Sequence, residues 1–392
     1  MATNPLRTDL AIIGGALIGA ALARALDGCR IALISQERRW PAPLAAASFD
    51  SRIYAISPAN SAFLASLGAW QRMPAERLTP VHAMRVFGDD GKSTIEFDAY
   101  RAGANELAWI VEDGLLQDAL WSSLETQAEL ELVAPGVCEQ LDVDAASVRI
   151  ALADGRRIET RLVVGADGAR SFVRTQAGIA ATERAYGQTA VVANFACERP
   201  HRNVAFQWFQ GGPVLALLPL PGEHVSMVWS VSDLEAERLA RLEPAELAAQ
   251  VGAASRHALG ELSAMGPART FPLRRLKALR SVAARVALVG DAAHVVHPLA
   301  GQGANLGFQD ARVLAGVLRA REPFRDPGDL RLLRRYERAR AEAILAMRAT
   351  VHGLFTLFDA TPDFLKSVRN AGLNLVDRMP VLKNVLIRQA MR

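Results

Sequence analysis

RVALVGDAAHVVHPLAGQGANLGFQDA, residues 285–311, opens with an apolar strand-like run, Val286–Val289, and breaks at Gly290-Asp291. Pro298, Gly301 and Gly303 follow, and then a helical pattern. A strand that delivers an aspartate to a loop, and a glycine-rich turn that opens a helix, together make a site for a polar, partly anionic ligand. Helix N-termini present N–H groups without intrahelical partners, which is why negative charge settles there.

Two distant stretches share this texture. Asp9–Ile13 reads as a buried strand, Leu17–Leu26 as a helix and Ile31–Ile34 as a second strand, a compact βαβ unit. Between strand and helix lies Gly14-Gly15-Ala16-Leu17-Ile18-Gly19, a GxGxxG pattern whose second glycine is Ala16. An acid is expected at the end of the second strand to hold ribose hydroxyls. Ser35 stands there instead, with Glu37 two residues later. The other stretch follows the apolar run Leu162–Val164 and reads GADGARSFVR, residues 165–174. An Asp-Gly alone is an ordinary turn. The ten residues together suit a polar ligand crossing a sheet edge.

Composition narrows the class. The 392 residues are 51% hydrophobic and 22% charged, a globular balance, with formal charge +4. No cluster of cations with interleaved aromatics points to nucleic acid. Three cysteines, Cys29, Cys138 and Cys197, are far apart and form no CxxC pair, which fits a reducing compartment and argues against structural metal. The apolar run Leu10–Ala23 carries three glycines and is shorter than the roughly 20 residues of a membrane span. A cytoplasmic protein is expected, with peripheral contact at the inner membrane face left open.

Elsewhere, Ser48–Ser57 reads as a loop carrying Arg52, and Glu112–Leu124 as a helix carrying Gln117. Gly88–Gly91 and Asp154-Gly155 are hairpin signals. From Thr189 to Val231 short strands follow: Ala190–Cys197, Val204–Phe209, Val214–Leu218 and Val225–Val231. In the last, Ser226 and Ser230 alternate with Met227 and Trp229, as a sheet with one apolar face requires. Phe206, Trp208 and Trp229 are candidates to roof an aromatic substrate, although aromatic residues on strands are usually core. Pro244–Leu259 and Leu330–Arg348 read as helices, and the tail 364–392 as a basic amphipathic segment. The expected fold is α/β with an α+β second domain: a Rossmann-like cofactor domain with an inserted antiparallel-sheet substrate domain and C-terminal helices. The boundaries are 1–80, 98–180 and 281–330 for the first, 81–97 and 181–280 for the second, and 331–392 for the helical segment.

In order and spacing, GGALIG near residue 14, GADGARSFVR and VGDAAHVVHPLAGQGANLGFQDA resemble the three FAD fingerprints of the single-component aromatic flavoprotein monooxygenases, the para-hydroxybenzoate hydroxylase fold. PLAGQGANLGFQDA, the run Trp109–Gln117 and the tail Arg369-Asn-Ala-Gly-Leu are most similar to the ubiquinone-biosynthesis hydroxylase branch. The resemblance implies an FAD site. Gly14, Gly15 and Gly19 would take the pyrophosphate, and Ser35 or Glu37 the ribose. Arg52 and Gln117 would lie near the flavin and its ribityl or phosphate groups. Asp167 and Gly168 sit in the fingerprint tied to FAD and nicotinamide. Gly290 and Asp291 would hold a ribityl hydroxyl. Pro298, Gly301, Gln302, Gly303, Ala304 and Asn305 would run beside the isoalloxazine ring.

Backbone N–H groups at Gly301–Gly303 would stabilise the anionic N1–C2=O edge of reduced flavin. His297 and Pro298, on the same loop, are the candidates for a catalytic role, and His294 for a hydrogen-bonding one. No metal is called for. The implied reaction hydroxylates the ring of a polyprenylated phenol or quinol intermediate of ubiquinone biosynthesis through a flavin C4a-hydroperoxide. It uses dioxygen and electrons from NAD(P)H or a reductase partner. A hydroxylase of a soluble phenolic compound and a non-catalytic FAD-binding subunit of a biosynthetic complex are the alternatives.

Overall fold

The computed structural model describes residues 4–37, 48–90, 93–296 and 302–358. Its first sheet has a parallel core in the order 286–288, 157–165, 6–13, 31–34, 130–133. These strands are apolar on both faces because both faces are covered. Leu10, Ile12, Leu33, Leu162 and Val164 pack against the Leu17–Ala25, Asp113–Leu124 and Gln302–Arg319 helices. Ala11, Ile13, Ile34 and Val163 face the other way, onto Leu141 and Ile150 of an antiparallel extension, strands 138–143 and 148–152. Each fully buried Leu or Ile there contributes about 1.5–3 kcal/mol relative to exposure.

The second sheet is antiparallel for most of its length and nine-stranded. Its main path runs 294–295, 269–278, 181–197, 224–232, 214–220, 204–209, 83–87, 94–98. Helices Asp233–Ala240 and Pro244–Ala254 cover one face. A small third sheet, 53–56, 108–112, 79–81, lies against part of the opposite face through Leu218 and Leu220. The α/β class with a second, antiparallel sheet follows the sequence patterning.

Several elements differ from the expectations. Ile53–Ile56 is a strand where a loop is read, because its partner Ala108–Glu112 supplies a ladder that local sequence does not reveal. The strand expected at Ala190 begins at Ala181, and Arg269–Ala278 pairs along it although it contains Pro272 and four basic residues. Both stretches are exposed ribbon, so no apolar alternation marks them. The helix expected over Leu330–Arg348 extends to Phe358. The basic tail lies outside the described residues. Among those residues no helix is long and apolar enough to cross a membrane.

Candidate functional site

The three glycine-bearing motifs leave neighbouring parallel strands at the same edge. Ile13 sits opposite Gly165, and Gly165 opposite Leu288. Ala166 N–H donates to the Ile13 carbonyl at 2.8 Å and Val289 N–H to that of Gly165 at 3.0 Å. The carboxyl edge of an open α/β sheet is where such folds bind ligands.

Close packing fixes the first turn. Gly14 has φ +111°, and a Cβ there would stand 2.2 Å from the Ala166 carbonyl oxygen. A Cβ at Gly19 would meet the Gly14 carbonyl at 1.8 Å, and one at Gly15 the Ser35 hydroxyl at 2.6 Å. Ser35 is therefore packed beside the turn, whereas Glu37 is exposed. Ala16 heads the Leu17–Ala25 helix with no side-chain cap, so its first N–H groups stay open to an anion. Trp121, which sequence reasoning did not single out, donates its indole N–H to the Gly15 carbonyl at 2.8 Å. Gln117 lies one turn earlier on the same helix and hence on the same face. It is buried, and its Oε1 has no partner among the described residues.

Arg52 and Asp291 face one another. Both are solvent-exposed, yet burial by surrounding protein is the main influence raising the Asp291 carboxyl, with Arg52 and His294 pulling it back down. Arg52 is held above its ordinary value by the neighbouring Tyr54, against desolvation, with help from Asp113 and Asp291. Its loop is rigidly tied. Arg77 grips Glu112 through two bonds of 2.8 Å, Asp50 N–H donates to Glu112 at 2.8 Å, and Gly114 N–H donates to Asp50 at 2.7 Å. Asn194, from the large sheet, donates to the carbonyls of Phe49 and Asp50 at 3.1 and 3.0 Å. None of these anchors was legible as a motif, since each pairs residues more than thirty positions apart.

In the second motif, Asp167 accepts from Val173 N–H at 3.0 Å, and Ser171 caps the same short helix through Arg174 N–H. Gly168 takes φ +77° to make the turn. One oxygen of this carboxylate is engaged in helix capping, the other, Oδ1, is buried without a hydrogen-bond partner among the described residues, and burial raises the group's affinity for a proton.

In the third motif, Gly290 has φ +58°. His294 Nε2 lies 2.7 Å from Asp310, which fulfils its expected hydrogen-bonding role. Asn305 departs from the expectation. Its carboxamide accepts from Ser57 N–H and Asn60 Nδ2, each at 2.9 Å, and donates to the Ala55 carbonyl at 2.8 Å. With these groups taken, the Asn305 side chain serves as a bolt between the small sheet and the Gln302–Arg319 helix. Among the described residues, a Cβ at Gly303 would meet no atom within 4 Å. Ala304 is half-buried. His297, Pro298 and Gly301 lie outside the described residues, as does the side chain of Gln302.

Phe206, Trp208 and Trp229 require a correction. They belong to the core between the large sheet and its two helices, with Trp208 stacked on Phe206 and on Phe87. Period-two alternation puts Asn194, Ser226, Leu218, Val228 and Ala216 on the other face. That face is the one Asn194 ties to the Arg52 loop, and Ala216, Leu218 and Val228 are only half-buried on it.

The residues present fit FAD. An uncapped helix N-terminus beside tightly packed glycines suits a pyrophosphate, the orphaned Gln117 oxygen awaits a donor, and Arg52 and Asp291 bring charge of both signs within electrostatic reach of each other. Among the described residues no cluster could hold a metal ion.

Comparison with known proteins agrees with this geometry. The family described as "FAD binding domain" matches residues 7–350. Ubiquinone hydroxylase UbiL of Rhodospirillum rubrum is 37% identical over 98% of this chain and 89% of its own length. The 3-demethoxyubiquinol 3-hydroxylase of Escherichia coli is 34% identical over 98% of both. The crystal structure of PqsL from Pseudomonas aeruginosa superposes with a TM-score of 0.79 at 25% identity, covering 94% of this chain and 99% of that one.

Proposed function

The chain belongs to the FAD-binding-domain family of flavoprotein monooxygenases, and from that footing we propose that it hydroxylates the aromatic ring of a polyprenylated phenol or quinol on the way to ubiquinone. The observation that carries the reading is the convergence of three distant motifs on one sheet edge. Near full-length likeness to two ubiquinone-pathway hydroxylases supports the substrate class.

FAD, when bound, supplies the two-electron chemistry and the activated oxygen that place a hydroxyl on the ring, drawing on NAD(P)H or a reductase. The protein's own task is positioning and exclusion of water. The N-terminus of Leu17–Ala25 binds the pyrophosphate, with Ser35 beside it. Gln117 and Asp291 orient the chain between phosphate and ring. Arg52 supplies a fixed positive charge at the flavin edge, held by the Glu112–Arg77 and Asn194 anchors. The small side chain of Ala216 leaves room on the sheet face, where Val228 and Leu218 offer apolar contact to a substrate ring. An isoprenoid tail would draw the protein to the inner membrane face from the cytoplasm.

Mass spectrometry of quinone intermediates in a strain lacking the gene tests the assignment. Accumulation of an under-hydroxylated prenylated phenol, relieved by the cloned gene, is the expected result. An unchanged quinone profile would sink it.

A further inference from the structure

Next to the Gly290–Asp291 turn lies a buried charged cluster, of which only the His294–Asp310 bond has been described so far. Asp310 is fully buried and accepts three bonds: from Gly290 N–H at 2.9 Å, from His294 Nε2 at 2.7 Å and from Arg340 Nε at 2.6 Å. Arg340, 3% exposed, spends its other nitrogens on Gln309 at 2.9 Å and the Leu306 carbonyl at 3.3 Å. One turn earlier on the same helix, Tyr336 donates its hydroxyl to the Leu288 carbonyl at 2.8 Å. The Leu330–Phe358 helix therefore grips the chain on both sides of Val289, directly at Leu288 and through Asp310 at Gly290.

We infer that His294, Asp310 and Arg340 are positioning residues that preset the Gly290–Asp291 turn for FAD, with Arg340 carrying the setting from the long C-terminal helix to the site. Burying three ionisable groups costs several kcal/mol per ion before pairing, and apolar side chains of similar volume would hold two helices together at least as well. What apolar packing cannot supply is orientation of a single N–H. Gly290 is in the left-handed region at φ +58°, so its N–H and the following Asp291 depend on the acceptor that fixes them. The cluster also acts through charge. His294 and Arg52 lower the Asp291 carboxyl against the raising effect of burial and of Asp310, so removing the His294 ring would let it rise further.

The inference rests on the FAD reading but not on hydroxylation, and its test reads FAD binding alone. Apoprotein prepared by acid precipitation or high bromide is titrated with FAD, followed by flavin fluorescence. Arg340→Met is expected to weaken FAD binding at least tenfold at a temperature where circular dichroism shows native structure, and Arg340→Lys to recover most of the loss. His294→Gln keeps a donor at the Nε2 position and removes the charge. It is expected to bind nearly normally at neutral pH, with the acid limb of its FAD-binding profile moved to higher pH. If Arg340→Met does not fold, the His294→Gln profile decides. Native-like variants that bind FAD within twofold of wild type, with an unmoved acid limb for His294→Gln, would overturn the inference.

Discussion

Arg174 donates through Nη1 to the Ala292 carbonyl at 2.9 Å, joining the second and third motifs across 118 residues of chain. Its Nη2 reaches the Ala169 carbonyl at 2.7 Å. Two loops that each leave a strand at the sheet edge are thereby held at one spacing. Hydrogen bonds to a charged donor contribute about 1.5–3 kcal/mol when buried, less at this half-buried position. Arg174→Met should loosen FAD about fivefold to tenfold, read as a higher dissociation constant in a fluorescence titration, with thermal stability lowered only slightly.

Asp291→Ala should release FAD on gel filtration, seen as a fall in the ratio of flavin to protein absorbance. Burial raises the Asp291 carboxyl above the ordinary aspartate range. If its ionised form binds the cofactor, affinity is present above that raised value and is lost as pH falls through it. Asp291→Asn should flatten that acid limb. Full flavin occupancy in Asp291→Ala would show that the turn does not contact FAD.

The two faces of the large sheet make opposite predictions. Trp208→Ala empties a core position and should cost about 3–5 kcal/mol in urea denaturation, with KM for the ring substrate little changed in whatever protein folds. Ala216→Phe fills the half-open face and should raise KM about tenfold or more while leaving the unfolding midpoint close to wild type. The reverse pattern would place the substrate on the helix-covered side.

The Asn305 carboxamide is 1% exposed and bonded to three residues of the small sheet and the helix after it. Asn305→Ala leaves Ser57 N–H and the Ala55 carbonyl without these partners, a loss of roughly 2–4 kcal/mol. Equilibrium unfolding measures it. Asn305→Asp should fare no better, since among the described residues no cation bonds to that position to balance the charge.

Stability should depend on pH through the His294–Asp310 pair. Burial alone would lower the imidazole, but Asp310 overcomes it and holds His294 above its ordinary value. That contribution is fully present below the unfolded histidine value and is lost as pH rises through the folded one. Burial would raise Asp310, but His294 and Arg340 hold it below its ordinary value. Its contribution is present above the unfolded aspartate value and is lost as pH falls through the folded one. The melting temperature of the apoprotein should therefore decline as pH rises above the ordinary histidine value, and His294→Gln should lack that decline.

The amino-acid sequence by itself determined the parallel sheet and the three turns, because these depend on local signals. Buried strands are continuous apolar runs, and Gly14, Gly19, Gly168 and Gly290 stand where backbone conformation or close approach admits little else. It also determined which residues of the antiparallel sheet share a face, since alternation fixes that: Met227 and Trp229 together, Ser226 and Ser230 together. Only the tertiary structure decided which face meets the helices and which meets the Arg52 loop. Two helices that follow in sequence cover the aromatic side, and Asn194 ties the polar side to the Arg52 loop. Nothing local encodes that choice, because both faces can be buried and the partner of each is set by packing. The same holds for Asn305 and Asp310. Both read as part of a glycine-rich cofactor motif, and both spend their polar groups on the protein's own backbone and side chains, where long-range contacts rather than spacing determine what a buried polar atom meets.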